Sequence, residues 1–128
     1  KSIINDTIKM REDFRPFAPA VLEEHYTKYF DTNSPSPYMS RICKVKTTRV
    51  PGVTHVDETA RIQTVNKEFN EKFYNIINEF YKITGIPMLL NTSFNCQEPI
   101  VETPEQAIRT FKRTALDILV INDWRIEK

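Results

Sequence analysis

Residues 67–95 read KEFNEKFYNIINEFYKITGIPMLLNTSFN, and this stretch decides the fold. Phe69, Phe73, Ile76, Ile77, Phe80 and Ile83 recur on a 3.6-residue period, a single apolar stripe. The spacing predicts a helix over about 67–84 with the stripe buried as core, closed by Gly85 as a C-cap. Pro87 to Leu90 then reads as a buried strand, apolar and bounded by Gly85 and by polar residues. Next come Asn91-Thr92-Ser93-Phe94-Asn95, mostly small hydrogen-bonding residues delivered to the end of that strand. Open α/β sheets place ligand sites beyond the carboxyl ends of their strands. Ser93 and Asn95 carry donors and acceptors suited to phosphate or nucleotide oxygens. On spacing alone, a polar turn is an equal reading.

Outward from this stretch, Ala60 to Val65 alternates as a strand does. Thr103-Pro104-Glu105-Gln106 opens a second helix with a capping box and proline at the first helical position. Asp117 to Ile121 reads as a strand, continued by Trp124 to Ile126 after a bend at Asn122-Asp123. Strand, helix, strand, helix, strand from residue 60 onward implies an α/β fold. Upstream, residues 2–9 suit a short helix end or turn. Pro16 and Pro19 forbid a helix and favour extended backbone. Ala20 to Glu24 suits a strand or a helical turn, Asp31 to Pro37 a loop, and Arg41 to Thr48 a strand.

A chain of 128 residues fits one domain with a real core. It begins with Lys1 rather than Met, as a piece of a longer protein would. No apolar run approaches a membrane span of about 20 residues, and the opening residues show no signal-peptide pattern. Cys43 and Cys96 give neither a disulfide framework nor metal-ligand spacing, which suits free thiols in the cytoplasm. A net charge of +1 argues against a dedicated nucleic-acid binder. The balance is uneven: residues 1–50 carry +3 and the remainder −2. A cationic first third suits a small polyanion, and equally a solvated face. With only Gly52 and Gly85 present, no glycine-rich phosphate loop can be written. Phosphate contacts must come from side chains, or from backbone amides in a loop without glycine.

Four clusters could carry chemistry. Lys9, Arg11 and Arg15 share odd parity, so extended backbone would turn them to one side, where they suit phosphate oxygens. Surface pairing with Glu12 and Asp13 is the alternative. His55, Asp57 and Arg61 form the second cluster, with His55 able to bind a phosphate or move a proton, or to be merely solvated. With His25 far away in sequence, a protein-built zinc site does not fit. Ser93 and Asn95 are the third; Ser93 has no triad and no nucleophile elbow, which leaves binding as its role. Glu98 and Glu102 are the fourth, as magnesium contacts or as a solvated loop.

Residues 8–19 (IKMREDFRPFAP), His55 to Val65, Leu89 to Asn95 and Glu98-Pro99-Ile100-Val101 together resemble one family. It is the C-terminal domain of O-carbamoyltransferases that modify nodulation factors and antibiotics such as tobramycin and cephamycins, matched from about residue 4 to residue 121. The resemblance implies a single α/β domain of YrdC-like fold, a twisted, open, mixed sheet with helices packed on it and a cationic concave face. It implies ATP and carbamoyl phosphate as substrates, magnesium (Mg2+) with the ATP, and carbamoyl adenylate as product. It also implies a separate N-terminal catalytic domain, carrying a metal site, that moves the carbamoyl group to a hydroxyl. YrdC-like relatives use a Lys-x-Arg pair and a Ser-x-Asn pair around their nucleotide, matched here by Lys9-Met10-Arg11 and Ser93-Phe94-Asn95. Arg15, His55 and Arg61 fall in carbamoyltransferase motifs and are expected at phosphate or carbamoyl groups, with Lys9, Arg11 and His55 as the catalytic set. Two departures stand out: Glu58, where relatives often carry glycine, and the glycine-free Cys96-Gln97 link. Two competing readings are an enzyme making threonylcarbamoyl adenylate for tRNA modification and an RNA-binding module. The near-neutral charge and the lack of interleaved aromatic and basic residues count against the latter.

Overall fold

The computed structural model describes residues 1–10, 12 and 14–128. They group into two compact units: Pro16–Thr92, and Lys1–Arg15 with Ser93–Lys128. The unit Pro16–Thr92 holds a four-stranded mixed sheet. Its strands are β1 (Ala18–Leu22), β2 (Arg41–Lys44), β3 (Thr59–Val65) and β4 (Met88–Asn91), in the order β2-β3-β1-β4. β1 is buried along its whole length. It runs parallel to β3, with Ala20 opposite Gln63, and antiparallel to β4, with Ala20 opposite Leu89. Pro19 cannot donate to a ladder, and the pairing with β3 begins one residue later, at Ala20. β2 pairs antiparallel with β3 through Ile42 and Arg61.

A short helix, α1 (Tyr26–Tyr29), follows β1 after a 3-10 turn over Glu23–His25. One core cluster joins Val21, Ile62, Ala60 and Met88 of the sheet to Tyr26, Phe30, Val50 and Val53. The other joins Ala20, Leu22 and Val65 to Ile77 of the long helix α2 (Glu71–Thr84). Asn70 caps α2, its side chain accepting the Phe73 amide. Gly85 ends it at φ 71, donating its amide to the Tyr81 carbonyl at 2.8 Å. The expected helix and strand are therefore present, as an open α/β arrangement.

The orientation of α2 corrects the sequence reading. Ile77 is fully buried, and Phe73, Tyr74 and Tyr81 pack half-buried beside it. The rest of the stripe faces water: Phe69 is 87% exposed, Ile76 60% and Ile83 83%. The two tyrosines lay apolar rings against the sheet, so the buried face is centred a quarter-turn away from the most apolar line.

The other unit contains α3 (Pro104–Arg113), with Pro104 at its start and the full capping box between Thr103 and Gln106. A hairpin of β5 (Ile118–Ile121) and β6 (Trp124–Glu127) follows, with Ile118 opposite Glu127. Trp124 to Ile126 thus folds back beside β5 instead of continuing it. Asn122, at φ 52, supplies the left-handed residue of the turn. Ala107, Phe111 and Leu119 form the core, with Phe94, Val101 and Ile126 packed on it. The N-terminal segment Ile4–Lys9 is a wide, π-type helical turn. Lys9 therefore does not lie on extended backbone, and the parity argument for Lys9, Arg11 and Arg15 fails at its first member. Among the described residues, no helix is long and apolar enough to cross a membrane.

Candidate functional site

The π-type turn delivers Lys9 to the loop that follows residue 92. Such turns are rare overall and frequent at functional sites. Asn5, fully buried, braces the turn by donating Nδ2 to the Arg15 carbonyl at 3.0 Å. Met10 then ends it in left-handed backbone at φ 49, and Lys9 is left only 5% exposed.

The Lys9 ammonium meets four oxygens: the Ser93 carbonyl at 2.6 Å, the Ser93 hydroxyl at 3.2 Å, the Asn95 carbonyl at 3.0 Å and Asn95 Oδ1 at 2.7 Å. An ammonium has three protons, and these four oxygens of one loop lie within their reach. Ser93 Oγ donates to Asn95 Oδ1 at 2.7 Å, and Asn95 Nδ2 donates to the Glu98 carbonyl at 2.6 Å. The amide of Asn95 is thereby oriented, oxygen toward Lys9 and nitrogen toward Glu98.

A cleft of about 460 Å³ opens over this cluster, lined by Lys9, Arg15, Ser93, Asn95, Gln97, Glu98 and Pro99. Arg15 Nε also pairs with Glu12 Oε2 at 2.7 Å, the surface pairing that its sequence neighbourhood suggested. Both side chains are half exposed, so this pair adds about 0–1 kcal/mol and opposes the reorientation of Arg15 only weakly. Arg11 and Asp13 lie outside the described residues.

Glu98 is not a solvated loop carboxylate. Its Oε1 accepts the Thr110 hydroxyl at 2.7 Å, and Arg113 Nη1 lies 3.6 Å from its Oε2. Glu102, by contrast, is exposed just before α3. Gln97 sits in left-handed backbone at φ 55 and donates its side-chain amide to the Met10 carbonyl at 2.9 Å. Thr110 and Asn5 went unnoticed in the sequence, and no local pattern marks them; Gln97 stood out only as part of the glycine-free Cys96-Gln97 link.

His55 belongs to the unit Pro16–Thr92, where it lines a cleft of about 490 Å³ with Lys46, Thr48, Thr54 and Glu58. Its Nδ1 lies 3.3 Å from Thr59 Oγ1. The Thr59 hydroxyl gives its one proton to Asp57 Oδ1 at 2.7 Å, so Nδ1 of His55 must be the protonated nitrogen that donates to Thr59. The hydroxyl and amide of Thr59 hold the Asp57 carboxyl below its ordinary range, with a smaller contribution from the charge of His55. Glu58 adopts φ 65, the backbone that glycine takes freely, which explains why this position suits glycine. Arg61 is exposed on β3 beside Ile42. Cys43 is buried, and burial with the Asp31 charge pushes its thiol up, so it is no nucleophile. Among the described residues, no group of three His, Cys, Asp or Glu could hold a metal ion.

The geometry thus brings together Lys9, Ser93 and Asn95, which lie 84 and 86 residues apart, with Arg15 at the same cleft. Comparison with known proteins gives this arrangement a family. The chain is 40% identical to an uncharacterised Synechocystis protein over 152 aligned residues, covering all of this chain and 25% of that protein. It is 44% identical to nodulation protein NolNO of Sinorhizobium fredii over 135 residues, covering all of this chain and 20% of that protein. It is 42% identical to nodulation protein NolO of Bradyrhizobium diazoefficiens, again over the whole chain and 25% of that protein. The chain therefore spans a quarter or less of the length of these relatives. The family model for the carbamoyltransferase C-terminus matches residues 1–128, and the chain belongs to that family.

Proposed function

We propose that the cleft of Lys9, Arg15, Ser93 and Asn95 takes the phosphates of ATP, and that this domain makes carbamoyl adenylate for O-carbamoylation of a small-molecule hydroxyl. One observation carries the reading: Lys9 Nζ lies within 3.2 Å of side-chain oxygens of both Ser93 and Asn95. The lysine of the Lys-x-Arg pair and both members of the Ser-x-Asn pair, the residues that nucleotide-binding relatives use, meet in one place.

Carbamoyl phosphate loses its phosphate to water and leaves carbamate. A carbamate oxygen then bonds to the α-phosphorus of ATP while the α–β anhydride breaks and pyrophosphate departs. Such a transfer needs positioning and charge neutralisation more than covalent help. The buried charge of Lys9 supplies a fixed positive field beneath the loop, while the guanidinium of Arg15 can fork onto phosphate oxygens. Arg11 is assigned to the same phosphates by resemblance. His55 and Arg61, in the other unit, are assigned by resemblance to the carbamoyl donor, His55 as a proton carrier.

In this reading magnesium arrives on ATP as part of the substrate, with most of its oxygen ligands supplied by phosphate and water. The acceptor pocket and the transfer step belong to the N-terminal catalytic domain of a longer polypeptide, of the length that the relatives have. The protein works in the cytoplasm, without a nucleic-acid partner.

The test is exchange of labelled pyrophosphate into ATP by the full-length protein, dependent on carbamoyl phosphate. Exchange is expected, and is expected to vanish in Lys9→Ala and Arg11→Ala. A folded, full-length protein without exchange would sink the reading. Exchange supported by threonine and bicarbonate instead would move the domain to tRNA modification, and tight, salt-sensitive RNA binding would make it an RNA module.

A further inference from the structure

We propose that Thr110 and Glu98 form a positioning couple through which α3 sets the affinity of the Lys9–Ser93–Asn95 cleft for nucleotide; this rests on the nucleotide reading above. Thr110 is only 2% exposed, on the core-facing side of α3 between Ala107 and Phe111. A buried hydroxyl is costly without a partner, and an apolar residue would fill the position without that cost. In a helix, threonine commonly turns its hydroxyl back to its own backbone. Here the single hydroxyl proton goes instead to the carboxylate of Glu98, at 2.7 Å.

Glu98 stands at a junction. It lines three adjoining clefts, of about 460, 390 and 210 Å³. Its side chain is tied to α3 through Thr110 and Arg113, while its carbonyl receives Asn95 Nδ2 at 2.6 Å. That last bond decides which way the Asn95 amide points. Were the amide to turn over, its NH₂ would face the Lys9 ammonium, donor against donor. Holding the Glu98 backbone therefore holds Asn95 Oδ1 on Lys9 and on the Ser93 hydroxyl. Neither Thr110 nor Glu98 Oε1 needs to touch the nucleotide. Each acts through Asn95.

The experiment compares Thr110→Val, Thr110→Ser and Glu98→Gln in the full-length protein. Thr110→Val keeps the shape and removes the donor. It should raise the KM for ATP in carbamoyl-phosphate-dependent exchange about tenfold, the loss of one hydrogen bond to a charged group. The kcat should stay within about twofold, because the chemistry of bound ATP is unchanged. Thr110→Ser preserves the hydroxyl-to-carboxylate bond and should keep the wild-type KM, while Glu98→Gln keeps the acceptor oxygen and should leave the Asn95 resonance in place. In protein labelled selectively at asparagine with nitrogen-15, the Asn95 side-chain amide should shift and exchange faster with water in Thr110→Val alone. An unchanged KM with an unmoved Asn95 resonance would overturn the couple, as would equal losses in Thr110→Ser and Thr110→Val. Absence of exchange in the wild type would bring down the nucleotide reading and this proposal with it. An Asn95 resonance that still moved would then show the coupling to be structural only.

Discussion

The side-chain amide of Gln97 reaches the carbonyl of Met10 at 2.9 Å, and both residues hold left-handed backbone, at φ 55 and 49. Two strained residues thus clasp each other on either side of the buried Lys9 and its loop. Strain of this kind persists only where its surroundings over-determine it, and it gathers at functional sites.

Gln97 therefore contributes two opposing effects that substitution can separate. Gln97→Ala loses the bond and keeps the strained backbone, and we expect it to cost about 1 kcal/mol. Gln97→Gly loses the bond but relieves a strain of about 1–2 kcal/mol, so it should unfold close to wild type. Urea unfolding ranks the three proteins, and equal destabilisation by alanine and glycine would contradict this account.

Adjacent isoleucines on α2 should behave oppositely. Ile77 is fully buried against Ala20, Leu22 and Val65, so Ile77→Ala should cost about 2–5 kcal/mol. Ile76 is 60% exposed, and Ile76→Ala should stay within about 0.5 kcal/mol. Thermal unfolding of the pair would expose a wrongly assigned helix face by reversing their order.

At Glu58, φ is 65 with an ordinary side chain. Glu58→Gly should stabilise the protein by about 1 kcal/mol, since the cost of left-handed backbone for an L-residue disappears. A lower urea midpoint in the variant would show that the carboxylate, rather than the backbone, matters here.

Asp57 gives a pH dependence whose sign is fixed. The Thr59 hydroxyl, and then the Thr59 amide, hold its carboxyl below the ordinary value of about 4. A depressed carboxylate stabilises the fold above the unfolded pKa, and the contribution is lost as pH falls through the folded pKa. We expect the Asp57 carboxyl, followed by carbon-13 resonance, to titrate below ordinary aspartates, and Thr59→Val to move it back up. A midpoint that ignores Thr59 would remove the cause assigned to the shift.

What the sequence made legible was chiefly local. Thr103 with Gln106, and Gly85 after Thr84, set helix ends through residues that touch within one turn, and such signals need no tertiary knowledge. The face of α2 was not legible, because Tyr74 and Tyr81 count as half-polar in a pattern yet cover the sheet with their rings. A helix end or turn over residues 2–9 was legible, but nothing in those residues announces the π-type geometry that takes Lys9 off the extended backbone of the parity argument. The meeting of Lys9 with Ser93 and Asn95 spans most of the chain, and in the sequence only the family resemblance joins these motifs. Thr110 carries no sequence signal, since a buried hydroxyl is recognised only by its acceptor.

The exposed line of Phe69, just before α2, and of Ile76 and Ile83 on it has a consequence for how the isolated chain behaves in concentrated solution. Kosmotropic anions such as sulfate are excluded from protein surfaces and strengthen apolar association. They act on exposed apolar side chains such as these, which are already in water, before they act on Ile77 and its neighbours. Crowding these molecules with sulfate should therefore salt them out as folded protein. The ceiling on their concentration is set by colloidal attraction between surfaces rather than by unfolding of the interior.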